Sequence, residues 1–214
     1  MSGETQIDLV IFGAGGHAKV VIETCIGTRF RPVVCLGESR WTTLVGVMVE
    51  PEERAEQWKD RGIRRAFVAI GKNSIRERVA ASVLAMGFEL ATIVSRHAWV
   101  SPTARLGPGT VVMAGAIIQV EATIGDCGIV NTGASIDHEC ILGRAVHAAP
   151  HSTLCGNVIT GDRVWIGAGS TIIEGRRLAD DVFVAAGATV VCDIDEPNSR
   201  CGGVPARIMR PQNA

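Results

Sequence analysis

The chain has 214 residues and a formal net charge of −1, from 21 basic and 22 acidic side chains. It is 47% hydrophobic but only 4% aromatic, with 25 glycines and no tyrosine. This charge balance argues against a nucleic-acid-binding surface, and no apolar run reaches the roughly 18–20 residues of a membrane-spanning helix. The seven scattered cysteines and the absence of a secretory signal pattern predict a cytoplasmic protein with reduced thiols.

The N-terminal segment has the pattern of strand, glycine-rich turn and helix. Residues 7–12 are apolar, Gly13–Lys19 holds three glycines, and residues 20–23 are again mainly apolar. Glycines at this spacing let the backbone and a helix N-terminus approach a phosphate. The turn could instead only pack helix on strand.

The other predicted elements of this segment are strands over 33–36, 66–70 and 88–94 and helices over 51–61 and 74–86. About 95 residues are enough for one mononucleotide-binding half, whereas a dinucleotide fold needs two. We therefore expect an α/β half-Rossmann (βαβ) domain over residues 1–95 that binds one nucleotide diphosphate.

A six-residue repeat dominates the remainder of the chain. Stepping by six from Val100 to Val190 reaches sixteen positions, all Val, Ile or Leu except Ala148 and Thr160. Glycines recur at 18-residue intervals, where we expect backbone angles that a Cβ disfavours: Gly107, Gly125, Gly143 and Gly161. Three short strands per 18-residue coil would close a triangular prism with the aliphatic side chains inside. Residues 96–214 are predicted to form about five such coils and a C-terminal tail.

Three of the five histidines, His138, His147 and His151, fall within fourteen residues. His138 lies two positions after an inward aliphatic residue, so it should face outward at a turn, where imidazole could act as a general base. Asp137 and Glu139 flank it, and either could fix its tautomer. A solvated turn residue is the alternative interpretation.

Cys140 and Cys155 lie close to the histidine cluster in the sequence. They could carry the acyl group covalently, but a cysteine at a small, inward-leaning position of a coil more often serves packing.

Four separated motifs together resemble the nucleotide-linked amino-sugar N-acetyltransferase family. They are the FGAGGHAKVV run from Phe12, the AIGKNSIR run from Ala69, the Asn131–Glu139 segment and the GVPAR run from Gly203. The family belongs to the hexapeptide acyltransferases, and the resemblance implies a left-handed parallel β-helix. It also implies a homotrimer, with acetyl-CoA in the groove between neighbouring prisms and no metal.

The resemblance also implies roles for individual residues. His138 matches the general base, Glu139 the acid that orients it, and Gly156 the oxyanion-stabilising N–H. The residues implied for the acceptor and acetyl-CoA are Asn131, His147, Gly156, Ala168, Ala186, Gly203 and Arg207. Those implied for the nucleotide sugar are Gly13, Gly15, Gly16 and His17, with Lys72, Asn73 and Arg76 nearby.

The nucleotide base is the point where the sequence departs from the family pattern. Relatives that use UDP carry two acidic residues after the second strand, whereas this chain has Leu36-Gly37-Glu38-Ser39. A single Glu38 could pair with guanine, which favours a GDP-linked 4-amino sugar such as GDP-perosamine over a UDP-linked one. The alternatives are an O-acetyltransferase of the sialic acid type, a metal enzyme of the γ-carbonic-anhydrase type that uses the three histidines, and a non-catalytic nucleotide-sugar-binding scaffold.

Overall fold

The computed structural model describes residues 6–209. Contacts divide the chain into two units, with the boundary between Arg96 and His97. No helix in the described part of the chain is long and apolar enough to cross a membrane.

The N-terminal unit is a mainly parallel sheet with helices. Its strands are β1 (Ile7–Phe12), β2 (Phe30–Leu36), β3 (Thr43–Leu44), β4 (Val47–Glu50), β5 (Arg65–Val68), β6 (Glu89–Leu90) and β7 (Ile93–Val94). Its helices are α1 (Gly16–Thr24), α2 (Ala55–Asp60), preceded by a 3₁₀ turn at Glu52–Arg54, and α3 (Asn73–Ala85). The strand order is β3-β4-β2-β1-β5-β6, and only the β3–β4 pair is antiparallel. This arrangement confirms the half-Rossmann prediction.

Two local features of this unit differ from the sequence analysis. The single strand predicted over 88–94 is divided into β6 and β7, because Ala91 and Thr92 leave the extended ladder between them. The β3–β4 hairpin was not predicted, because a two-residue strand gives too short an alternation to detect.

The C-terminal unit is a left-handed parallel β-helix, which confirms the triangular prism predicted from the six-residue repeat and the handedness implied by the family resemblance. Its sixteen two-residue strands, β8 to β23, are Trp99–Val100, Arg105–Leu106, Val111–Val112, Ile117–Ile118, Thr123–Ile124, Ile129–Val130, Ser135–Ile136, Ile141–Leu142, His147–Ala148, Thr153–Leu154, Ile159–Thr160, Trp165–Ile166, Thr171–Ile172, Arg177–Leu178, Phe183–Val184 and Thr189–Val190. Every strand ends at a position of the six-residue repeat. Strands 18 residues apart pair in parallel and build three faces.

We call these faces 1, 2 and 3 in chain order. Face 1 contains β10, β13, β16, β19 and β22; face 2 contains β8, β11, β14, β17, β20 and β23; face 3 contains β9, β12, β15, β18 and β21. A hairpin of β24 (Arg200–Gly202) and β25 (Arg207–Ile208) extends face 1 beyond β22.

The prism interior is aliphatic and fully packed. Val112, Ile118 and Ile136 are completely buried, and so is the small Ala148. Thr160 is also buried, and its hydroxyl accepts a hydrogen bond of 3.3 Å from the Gly143 N–H, so this polar side chain keeps a partner inside the core.

The 18-residue glycine column allows the coils to stack closely, which corrects the reason given for it above. A Cβ on Gly125 would lie 2.7 Å from the carbonyl carbon of Gly143, and the next glycines of the column face equally close backbone. Their φ angles are outside the left-handed region. That region is occupied by other turn residues, including Glu139 at φ 59° and His151 at φ 56°.

Candidate active site

His138 lies at the edge where face 2 turns into face 3, between β14 and β15. Its Nδ1 is 3.0 Å from Oε2 of Glu139, while Asp137 Oδ1 accepts a 2.7 Å hydrogen bond from the His138 backbone N–H. Glu139 therefore contacts the ring, and Asp137 holds the main chain. If Nδ1 carries the proton given to this carboxylate, the lone pair of Nε2 is left for a substrate.

The imidazole of His138 lies directly over Gly156 of the next coil. An added Cβ at Gly156 would collide with Cε1 and Nε2 of the ring. The N–H of Gly156 donates to no acceptor among residues 6–209. The structure thus brings the predicted catalytic residues His138, Glu139 and Gly156 together on two stacked turns of successive coils.

Asn131 and His147 form a second polar pair, on face 1. The Asn131 Oδ1 accepts the Thr132 N–H at 2.8 Å, which turns Nδ2 towards Nε2 of His147 at 3.0 Å. Since an amide NH₂ only donates, this contact requires a His147 tautomer whose Nε2 accepts. Sequence reasoning missed Trp165, whose ring packs against His147 with a centroid distance of 4.4 Å and an interplanar angle of 64°.

The two polar groups lie on opposite parts of the prism. His147 is on face 1, whereas His138 occupies the edge between the other two faces, which a triangular cross-section places opposite face 1. One copy of the chain therefore cannot bring His138 and His147 to the same reacting atom. Among the described residues, no three His, Cys, Asp or Glu side chains are grouped to hold a metal ion.

The predicted acetyl-CoA residues follow the edge between faces 1 and 2. Ala168 and Ala186 are exposed there, and neither N–H donates to an acceptor in the described part of the chain. Gly203, at φ 92°, and Arg207 are exposed in the β24–β25 segment. Free amide donors and a guanidinium are groups that can bind pantetheine carbonyls and phosphates.

The glycine loop of the N-terminal unit is fixed by its neighbours at the carboxyl ends of β2 and β5. The Gly13 N–H donates to Leu36 O at 2.7 Å, and a Cβ on Gly13, whose φ is 115°, would lie 2.8 Å from Ala69 O. Gly15 and Gly16 are exposed and face open space at the start of α1. Backbone N–H groups at such a helix start are suited to a phosphate.

His17, in the first turn of α1, is neutral at physiological pH. Burial lowers its pKa to about 4, and the positive charge of Arg76 contributes in the same direction. The ring can therefore donate or accept a hydrogen bond beside a phosphate without adding charge.

Arg76 and Asn73, which were expected near the nucleotide sugar, are buried. The Arg76 guanidinium donates to Ile70 O, Gly71 O and Asn73 Oδ1 at 2.9–3.0 Å. These bonds shape the loop before α3, because a buried guanidinium must satisfy its donors internally. Lys72 is exposed on that loop. The sequence does not distinguish a buried arginine from a ligand-facing one.

A cavity of about 490 Å³ opens beside the end of β2. Glu38 lines it, as do Trp41 and the Glu50–Glu53 segment. Sequence reasoning identified Glu38 but not Trp41, for which the only signal is a tryptophan in a chain with few aromatic residues.

Comparisons with known proteins agree with both units. The PglD N-terminal domain family matches residues 8–83. Curated protein sequences give no match.

Two solved structures are similar over nearly the whole chain. A mutant of GDP-perosamine N-acetyltransferase from Caulobacter crescentus, in complex with CoA and GDP-perosamine, is 38% identical with a TM-score of 0.92, covering 95% of this chain and 97% of that chain. The acetyltransferase domain of PglB from Neisseria gonorrhoeae, in complex with acetyl coenzyme A, is 33% identical with a TM-score of 0.90, covering 95% of this chain and 100% of that chain. The chain therefore belongs to the nucleotide-sugar N-acetyltransferase family of left-handed β-helix acyltransferases, and it is an acetyl-CoA-dependent sugar acetyltransferase.

Proposed function

We propose that the protein transfers the acetyl group of acetyl-CoA to the C4 amine of a nucleotide-linked amino sugar, with GDP-perosamine as the preferred acceptor. Residues 1–95 bind the nucleotide, and residues 96–214 carry the transfer. The observation that carries this proposal is the Glu139–His138 pair over Gly156. The relatives crystallised with GDP-perosamine and CoA support the substrate class.

The transfer is a direct one. The amine nitrogen attacks the thioester carbonyl, and Nε2 of His138 takes the amine proton as the C–N bond forms. The Gly156 N–H stabilises the oxyanion of the tetrahedral intermediate. The C–S bond then breaks, and the proton on His138 passes to the departing CoA thiolate.

A covalent acyl-cysteine route does not suit the two nearby thiols. Burial raises the pKa of Cys140 to about 11, and burial with the charges of Glu174 and Asp137 also raises the pKa of Cys155. A thiol acts as a nucleophile through its thiolate, which these environments disfavour.

In a homotrimer, His138 of one copy and His147 of the next can reach the same reacting atom, although the two residues lie on opposite parts of one prism. In this arrangement His138 of one copy faces face 1 of the next, where Asn131 and His147 adjoin the thioester. Acetyl-CoA then runs past Ala168 and Ala186 towards Gly203–Arg207. Complementary packing of identical copies around a three-fold axis is a closed, common assembly.

The nucleotide is assigned to the N-terminal unit. The diphosphate binds at Gly13–His17, and the exposed Lys72 supplies a positive charge nearby. Glu38 pairs with the N1–H and amino edge of guanine.

The test of the activity is thiol release from acetyl-CoA with a panel of GDP- and UDP-linked 4-amino sugars and a hydroxyl-bearing analogue. We expect release with the amino sugars, fastest with GDP-perosamine, and a turnover about 10²–10⁴-fold lower in His138→Ala. The control is His97→Ala, a change at an exposed histidine outside the predicted site. Free CoA at background level with every acceptor would contradict the proposal.

Mixed oligomers test the shared site. His138→Ala and His147→Ala are refolded together, because each variant supplies the residue that the other lacks. Recovery of activity above that of either variant alone is expected for a site between copies. No recovery in a confirmed mixed trimer would contradict it.

A further inference from the structure

The cavity beside β2 contains one large aromatic side chain. Trp41 lines the cavity and keeps 39% of its surface exposed. Lys19 Nζ lies 4.1 Å from the centroid of the indole ring and the Arg40 guanidinium carbon lies 4.3 Å from it. The indole is therefore a π surface that already holds positively charged groups in contact.

Four residues that line the cavity are glutamates: Glu38, Glu50, Glu52 and Glu53. The carboxylate of Glu50 accepts a 2.7 Å hydrogen bond from Nε1 of the Trp58 indole. Glu38, directly after Gly37, is an exposed lining residue. The volume of about 490 Å³ falls within the range of about 300–1,000 Å³ found for small-molecule sites.

Lys19 connects this cavity to the glycine loop. It lies on α1, three residues after the exposed Gly16 at which the helix begins. A ligand with a diphosphate at the helix start and a ring beside Trp41 would thus have the Lys19 ammonium between its two parts. A nucleoside diphosphate has this composition.

We propose that Trp41 is the base-stacking residue of the nucleotide site and that it makes the site select a purine, with Glu38 then selecting guanine. The proposal rests on the proposed function, since it concerns the nucleotide of that substrate. The base stacks on the indole in the place of the exposed Arg40 side chain. A purine covers more of the indole than a pyrimidine does, and stacking on one aromatic side chain strengthens binding by about 10- to 100-fold.

The test is calorimetric titration of the full chain with GDP, ADP, IDP, UDP and inorganic pyrophosphate. The expected affinity order is GDP, then IDP and ADP, then UDP, with at least about 10-fold between GDP and UDP. Trp41→Leu should weaken GDP binding by about 10- to 100-fold and leave pyrophosphate binding unchanged, while Trp41→Phe should retain most of the affinity. Trp99→Phe, a variant of an exposed tryptophan in the other unit, is the matched control.

Glu38→Gln is compared with Glu53→Gln, a change at another carboxylate of the same cavity. Glu38→Gln should bring GDP, IDP and ADP close to one another in affinity, and Glu53→Gln should keep the preference. Loss of the preference in Glu53→Gln alone would overturn the assignment of Glu38.

Equal affinity for GDP and UDP, or unchanged GDP affinity in Trp41→Leu, would overturn the stacking proposal. These are binding measurements without acetyl-CoA, so they are separate from the acetyl-transfer assay. A protein that transfers acetyl groups but fails the titration contradicts only the stacking proposal.

Discussion

Substitution of Gly156 by alanine tests whether the glycine serves the imidazole above it. The new methyl group would overlap with Cε1 and Nε2 of His138. The His138 side chain is 50% exposed, so its ring can rotate outward and the fold is kept. A displacement of about 1 Å at a reacting group can lower turnover by about 10²-fold, and complete loss of a general base by about 10²–10⁴-fold. We expect Gly156→Ala to lower kcat by about 10²-fold and the free energy of unfolding by less than about 1 kcal/mol.

The decisive measurement is a double-mutant cycle scored by thiol release and by urea unfolding. In the His138→Ala background there is no imidazole to displace, so Gly156→Ala should have little further effect on kcat. Gly175→Ala, on the next coil, is the control for an added methyl group, because no atom lies near its Cβ; its φ of 68° adds backbone strain that Gly156→Ala does not have, so it is a severe test of stability. Fully multiplicative losses of kcat in the double variant would refute the reasoning.

Two further variants test the groups that support the predicted ligand sites. For His17, the pKa of about 4 in the folded chain lies below the ordinary value of 6.5, so the unfolded chain binds more protons between these values. The contribution of neutral His17 to the free energy of unfolding should therefore be complete above pH 6.5 and be lost as the pH drops towards 4. In urea titrations at several pH values, His17→Gln should make the free energy of unfolding depend less steeply on pH. An unchanged pH dependence would contradict the lowered pKa of His17. Trp165→Leu removes an aromatic contact worth about 0.5–1.5 kcal/mol and should leave the His147 ring free to move. We expect kcat to fall while the KM for acetyl-CoA stays nearly constant, and Trp165→Phe to keep both kcat and KM close to their original values. Equal losses of kcat in the two variants would count against ring packing as the cause.

The prism could be predicted in detail because its geometry is local and repetitive. Each strand contributes one inward side chain, and counting in steps of six from Val100 identifies that residue in every strand. No contact with a distant part of the chain is needed for this prediction. Even the exceptions fit this logic, since Ala148 is small and the Thr160 hydroxyl finds a backbone donor.

The catalytic turn was only partly predictable. The sequence places Asp137, His138 and Glu139 side by side, but the choice of the acid depends on the left-handed φ of Glu139, which turns that carboxylate to the ring. The position of the ring over Gly156 depends on an 18-residue coil step that the repeat does provide.

The N-terminal unit was the least predictable in its side chains. Arg76 follows an exposed lysine in a motif typical of ligand contacts, yet it is buried and bonds to its own loop. Burial of this kind results from the packing of α3 in the unit, which no local pattern encodes.

The stacking of coils also sets a length scale along face 1. His147, Trp165, Phe183 and Arg200 lie on successive strands of this face. Three strand intervals of about 4.8 Å separate the first from the last, or about 14 Å in total. The distance from His147 to the C-terminal hairpin is therefore set by the number of whole coils between them, and it can change only by insertion or removal of 18 residues. Removing one coil would shorten that reach by about 4.8 Å, and a cofactor of fixed arm length would then no longer match both ends.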